Sequence, residues 1–164
     1  MSQANLQNIS QTVGGYHGYE DAGHRHTTDR SVRQYLRTKI KSILDTLSAM
    51  KPAGSPEDMA RLAELTSLTR RALNTISQSL SDPTYVGSNF FTYDRLSGTR
   101  LEKLYDFEFD MLNELVAIAE EVQALKDSPL DKNVIEDHFL HIKDFIDNFN
   151  QSLFERESLV LGND

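Results

Sequence analysis

From Thr28 onward, apolar residues recur at spacings of three and four, the repeat that marks one face of an α-helix. Val32, Leu36, Ile40, Ile43, Leu44 and Leu47 predict a first helix that ends near Met50. "KPAGSPED" interrupts the pattern, and Ser55 followed by Pro56 and Asp58 has the form of a capped helix start. Met59, Leu62, Leu65, Thr69, Ala72 or Leu73, Ile76 and Leu80 carry a second helix to about Ser81. A third opens on a capping box of Thr99 and Glu102 and runs along Leu101, Leu104, Tyr105, Leu112, Leu115, Ala119, Val122 and Leu125. Ser128, Pro129 and Asp131 repeat the cap-and-proline signal for a fourth, marked by Ile135, His138, Ile142, Phe145, Phe149 and Leu153, and "VLGND" supplies a Gly-Asn stop.

Two short turns and one longer connection between four such helices predict an all-α fold. The expected form is an antiparallel up-down four-helix bundle over residues 28–164. Residues 1–27 are polar and glycine-rich without a helical period, and predict an extended N-terminal arm. Phe107, Phe109 and Met111 widen the apolar surface of the third helix, so it is expected to be the most buried. The connection "SDPTYVGSNFFTYDRLSGT" holds Tyr85, Phe90, Phe91 and Tyr93, more aromatic surface than a loop leaves in water.

At 164 residues the chain can bury one core without staples, and its mean hydropathy of -0.48 suits a soluble helical protein. The absence of cysteine excludes disulfides, a thiolate nucleophile and cysteine-ligated zinc or iron-sulfur centres. The N-terminus has neither a basic nor an apolar leader segment and no run approaches a membrane span, so a cytoplasmic location is expected, membrane-peripheral only through a partner. A net charge of -8 opposes nucleic-acid binding. That charge is uneven: about +3 over residues 31–50, about -5 over 99–127 and about -4 over 131–157. Complementary neighbouring helices account for this most simply; a basic amphipathic first helix meeting an anionic membrane surface is the sharper alternative.

Candidate chemistry is sparse. His17, Glu20, His24 and His26 are close in sequence, but a glycine-rich arm does not hold a tetrahedral ligand set by itself, so no metal and no cofactor is assigned; His17, His24 and His26 remain the weak alternative. His138 and His141 lie a turn apart, yet neither follows a Glu at minus three as a di-iron bundle requires, and His141-Ile-Lys143 lacks a phosphorelay arrangement. Glu108, Asp110, Glu114, Glu120 and Glu121 read largely as the solvated face of the third helix. No phosphate-binding glycine fingerprint follows a strand. The chain is therefore read as non-catalytic.

Two stretches carry a resemblance. "GGYHGYEDAGHRHTTDRSVRQYL" is similar to a Gly-Tyr-x-Gly-Tyr pattern followed by a basic residue and Asp-x-x-x-Arg at a helix start. "PTYVGSNFFTYDRLSGTRLEKLYDFEFDMLNEL" is similar to Tyr-x-Gly-x-x-Phe-Phe leading into Leu-x-x-Leu-Tyr-x-Phe-Asp. Together they resemble a family of uncharacterised bacterial helical proteins. The matching positions are Gly15, Tyr16, Gly18, Tyr19, Arg25, Asp29 and Arg33, then Tyr85, Gly87, Phe90, Phe91, Leu101, Leu104, Tyr105 and Phe107, with His24 and His26 where the pattern carries basic residues. The resemblance implies a non-catalytic accessory role beside band-7 or phage-shock-type membrane-stress proteins. It also makes Tyr16 and Tyr19 aromatic plugs on a segment that folds back near Phe90 and Phe91, with Asp29 and Arg33 as a local ion pair. Tyr16, Tyr19, Phe90, Phe91 and Tyr93 are then the partner-binding or arm-docking set. The expected partner is another protein, with homo-oligomerisation an option; the competing reading is a metal- or small-ligand-binding bundle.

Overall fold

The computed structural model describes residues 2–51, 53–93 and 95–162. It is all-helical, with five helices packed together: α1 (Ser2–Thr12), α2 (Arg25–Ala49), α3 (Pro56–Ser81), α4 (Gly98–Asp127) and α5 (Lys132–Leu161). Among the described residues there is no strand.

The caps explain most boundaries. Ser55 accepts the Asp58 N–H at 3.1 Å to start α3, and Asp131 accepts the Asn133 and Val134 N–H groups at 2.9 and 3.3 Å to start α5. The expected Thr99 capping box does not start α4. Ser97 does, accepting from the Arg100 N–H at 3.2 Å, because its extended backbone aims the hydroxyl back into the first turn. Gly162, at φ +83, closes α5 in the left-handed conformation; Asn163 of the expected stop lies outside the described residues.

The extended arm expected over 1–27 is helical in part. Leu6, Ile9 and Val13 make a short stripe, and Ile9 and Val13 are each 1% exposed. A helix of 11 residues is marginal alone; packing against α4 stabilises it, and that tertiary contact leaves little trace in so polar a sequence. The expected division at residue 27 falls within α2, which starts at Arg25 after a 3-10 turn over Ala22–His24.

Helix α2 packs on α3, α3 on α5, α5 on α4, and α4 on α2, with α1 on the outside of α4. Arg61 of α3 reaches Glu136 of α5 at 2.8 Å, and Glu57 faces Lys132 at 3.5 Å, so these two neighbours start at the same end and run parallel. The connection from α3 to α4 therefore crosses one end of the assembly rather than turning back beside its own helix. Its 3-10 turn, Asn89–Phe91, puts Phe90 and Phe91 into that end. The core holds most of the expected stripes, with adjustments on α3, α4 and α5: Met59 is exposed, and Ile118 rather than Ala119, and Phe139 and Ile146 rather than His138 and Phe145, are buried.

Candidate functional site

Both glycines of the Gly-Tyr-x-Gly-Tyr segment's turns are required. Gly15 and Gly18 have φ of +79 and +78, and a Cβ at Gly18 would stand 2.9 Å from the Tyr105 hydroxyl. This path returns the chain from α1 across the closed end. Tyr16 and Tyr19 point inward at 4% and 0% exposure, edge-on to one another with centroids 6.0 Å apart. Arg25, fully buried, pins the segment by donating to the carbonyls of Tyr19 at 2.8 Å, Phe90 at 2.9 Å and Tyr93 at 2.5 Å. Thr28 adds a bond to the Gly18 carbonyl at 3.0 Å.

Beneath the two tyrosines lies a buried ionic network. Glu108 of α4, 0% exposed, accepts from the hydroxyls of Tyr16 (on Oε2) and Tyr19 (2.5 Å, on Oε1) and from Arg156 Nε at 2.7 Å. Arg156 of α5 also donates to Asp29 Oδ1 at 2.8 Å, to the Tyr85 hydroxyl at 2.9 Å and to the Tyr19 hydroxyl at 3.0 Å. Asp29 of α2 accepts from Tyr85 at 2.7 Å and from Arg33 Nε at 2.9 Å, while Arg33 reaches the Leu80 carbonyl at 2.9 Å. Two carboxylates face two guanidinium groups, and no buried side-chain polar atom among the described residues lacks a partner.

The electrostatics follow from that balance. Burial alone would raise the Asp29 carboxyl, but the charge and hydrogen bond of Arg156, with Tyr85 and Arg33, hold it below its ordinary value. Burial, then the Glu108 charge, pushes the Tyr16 and Tyr19 phenols far up, so both are neutral donors. The Tyr85 phenol is pushed up to about 12 by burial, with Arg156 opposing and Asp29 adding. Burial works against the Arg156 charge, yet Tyr85, Tyr19, Glu108 and Asp29 outweigh it.

The structure thus gathers Tyr16, Tyr19, Phe90, Phe91, Asp29 and Arg33 at one end. Phe90 and Phe91 are buried, and Phe90 packs edge-on against Tyr19 at 5.5 Å. Tyr93 is different: it is 48% exposed. The histidines do not converge. His17 and His24 have ring centroids 4.9 Å apart, but His26 stacks on Phe91 at 4.1 Å, and no group of three potential ligands able to hold a metal occurs among the described residues.

Glu108 corrects the reading of the third helix as bearing a solvated acidic face. It sits four residues after Leu104 and four before Leu112, on the apolar stripe itself. Arg156, which sequence reasoning passed over, occupies the equivalent place between Leu153 and Val160. A charge on an apolar stripe was the available signal in both cases.

At the opposite end, Glu121 Oε1 lies 2.7 Å from His138 Nδ1 and 3.0 Å from His141 Nδ1, and His138 Nε2 lies 3.2 Å from Ser128 Oγ. The order resembles nucleophile, base and orienting carboxylate. The Ser128 hydroxyl, however, donates to the Ala124 carbonyl at 2.7 Å, so its proton is directed away from the imidazole. Burial raises Glu121, but hydrogen bonds from His141 and His138 more than reverse this and lower it, which is the behaviour of an interhelical clip.

No protein-family model, curated protein or solved structure matches this chain. No helix among the described residues is long and apolar enough to cross a membrane.

Proposed function

We propose that this chain is a non-catalytic interaction or accessory module, a four-helix bundle of α2–α5 with its N-terminal segment folded in, serving a membrane-associated stress or scaffold system of the band-7 or phage-shock type. The observation that supports its non-catalytic part is the internal pairing of the Asp29, Glu108 and Arg156 network, while the stress or scaffold system follows from the resemblance of the two sequence stretches. Each of the network's buried polar atoms is paired with the chain's own tyrosines, arginines and carboxylates, and the three side chains are shut from solvent. Such a network fixes a shape; it offers no free group to a substrate. The signature residues of both sequence stretches are accounted for by that role, since most of them build the closed end.

One contact point for a partner lies beside that closed end, where two exposed apolar side chains sit among polar groups. Tyr93 and Leu161, each 48% exposed, line one shallow depression together with Arg100. A mild-detergent pull-down from the native host, with Tyr93→Ser/Leu161→Ser beside the wild type, tests the reading. A specific protein captured by the wild type and lost from the variant is expected. No specific protein with either would overturn it.

A further inference from the structure

The charged side chains are segregated between the two helical layers. Helices α2 and α3 hold nine basic and five acidic residues, whereas α4 and α5 hold six basic and fourteen acidic. Complementation between neighbouring helices would explain this if the exposed charges met across the layers, but most do not. Arg30, Arg37, Arg70 and Arg71 are exposed without an ion pair among the described residues, and Lys41 pairs only within its own helix, with Asp45. On the other layer Asp110, Asp137 and Asp144 are likewise exposed and unpaired.

Each layer also has an apolar feature. Between α2 and α3 runs an open groove of about 500 Å³, floored by Leu47, Met50, Met59 and Leu62 and bordered at one end by Arg70 and Arg71. On α5, Leu140 stands 57% exposed, three residues after Asp137 and four before Asp144, so a projecting leucine is flanked on one helix face by two carboxylates. Knob and groove carry opposite charges.

We propose that the cationic α2–α3 groove receives the acidic α4–α5 face of a second copy of this chain, with Leu140 entering the groove and Asp137 and Asp144 meeting Arg70 and Arg71. The two faces differ, so the contact is head-to-tail and each copy keeps one face of each kind open. This rests on the interaction-module reading and names one partner for it. The association is steered by charge and weakens with salt.

Sedimentation velocity over a concentration series tests it, using wild type, Arg70→Glu/Arg71→Glu and Asp137→Lys/Asp144→Lys. All four positions are exposed and outside the buried network, and circular dichroism verifies folding. Wild type should form dimers and larger species that dissociate with added salt, and each variant alone should associate more weakly by at least about tenfold. An equimolar mixture of the two variants should pair, because each retains the face the other has lost. Wild type that stays monomeric at millimolar concentration and low salt overturns the proposal, as does association that neither variant weakens. A monomer that instead sediments with phosphatidylserine vesicles through Arg70 and Arg71 also overturns it, in favour of a lipid surface. A monomer that still captures a host protein through Tyr93 and Leu161 removes self-association and leaves the interaction-module reading standing.

Discussion

Replacing Arg156 with methionine preserves most of its length and removes the cation that joins α5 to both α2 and α4. Its Nε stands 2.7 Å from Glu108 and its Nη2 2.8 Å from Asp29, at 1% exposure. After the substitution Asp29 retains Arg33 and Tyr85. Glu108 retains only tyrosine hydroxyls and has no counter-charge. Breaking a buried ion pair from one side costs about 3–5 kcal/mol, chiefly because the surviving charge is stranded. For a domain whose total stability is about 5–15 kcal/mol that is a large fraction, and at this chain length it corresponds to a fall in Tm of roughly 10–15 °C. Urea unfolding followed by far-UV circular dichroism measures it directly. Adding Glu108→Gln neutralises the stranded carboxylate, so the double variant should be about 2 kcal/mol more stable than the sum of the two single losses allows. A loss below about 1 kcal/mol for Arg156→Met, or strict additivity in the double variant, would refute the claim that the network is a coupled electrostatic unit.

The remaining expectations concern the same closed end. Gly18→Ala should cost about 2 kcal/mol, from the left-handed backbone and a methyl group 2.9 Å from the Tyr105 hydroxyl, while Gly14→Ala, with open space at that position, should be close to neutral in the same urea assay. Because the folded Asp29 carboxyl lies below its ordinary 3.8, its contribution to stability is complete above that value and is lost as pH falls through the lower folded one. Wild type should therefore lose stability in acid with a steeper slope than Asp29→Asn, and equal slopes would contradict the assignment. Tyr85 has the opposite sign: its raised phenol stabilises fully below the ordinary 10.0, and that contribution is lost as pH rises toward about 12. Phenolate absorbance should show buried tyrosines ionising together with loss of helical signal, not before it.

The helices were legible because each must bury a stripe, and a stripe at spacings of three and four survives any change in the residues around it. Ser55, Asp131 and Gly162 were legible for a similar reason, since caps are local. Helix α1 was not, because its stability comes from α4 rather than from its own eleven residues. The network was hidden because Glu108 and Arg156 look like ordinary surface charges until each is placed on its stripe, between Leu104 and Leu112 and between Leu153 and Val160. Asp29, three residues before Val32, belongs to the same pattern. These three stripe-breaking charges lie near the start of α2, about a third of the way along α4 and near the end of α5, which antiparallel packing of α4 and α5 brings to one place.

That convergence suggests what the ions contribute that leucines would not. Apolar stripes tolerate sliding, since a leucine displaced by one turn still meets another leucine. A one-turn slip of α5 along α4 would move Arg156 by about 5.4 Å, taking its guanidinium out of reach of Glu108 at 2.7 Å and Asp29 at 2.8 Å and leaving both acids buried without it. The cost of stranding them penalises every register but one. Tyr16 and Tyr19 extend the same constraint to the N-terminal segment, because their hydroxyls meet Glu108 only when Gly15 and Gly18 hold the turn. The register of α4 and α5, the seat of the N-terminal segment and the path of the α3 to α4 connection are thus set at one site, and the outer faces of the two layers are fixed relative to each other by residues that never reach the surface.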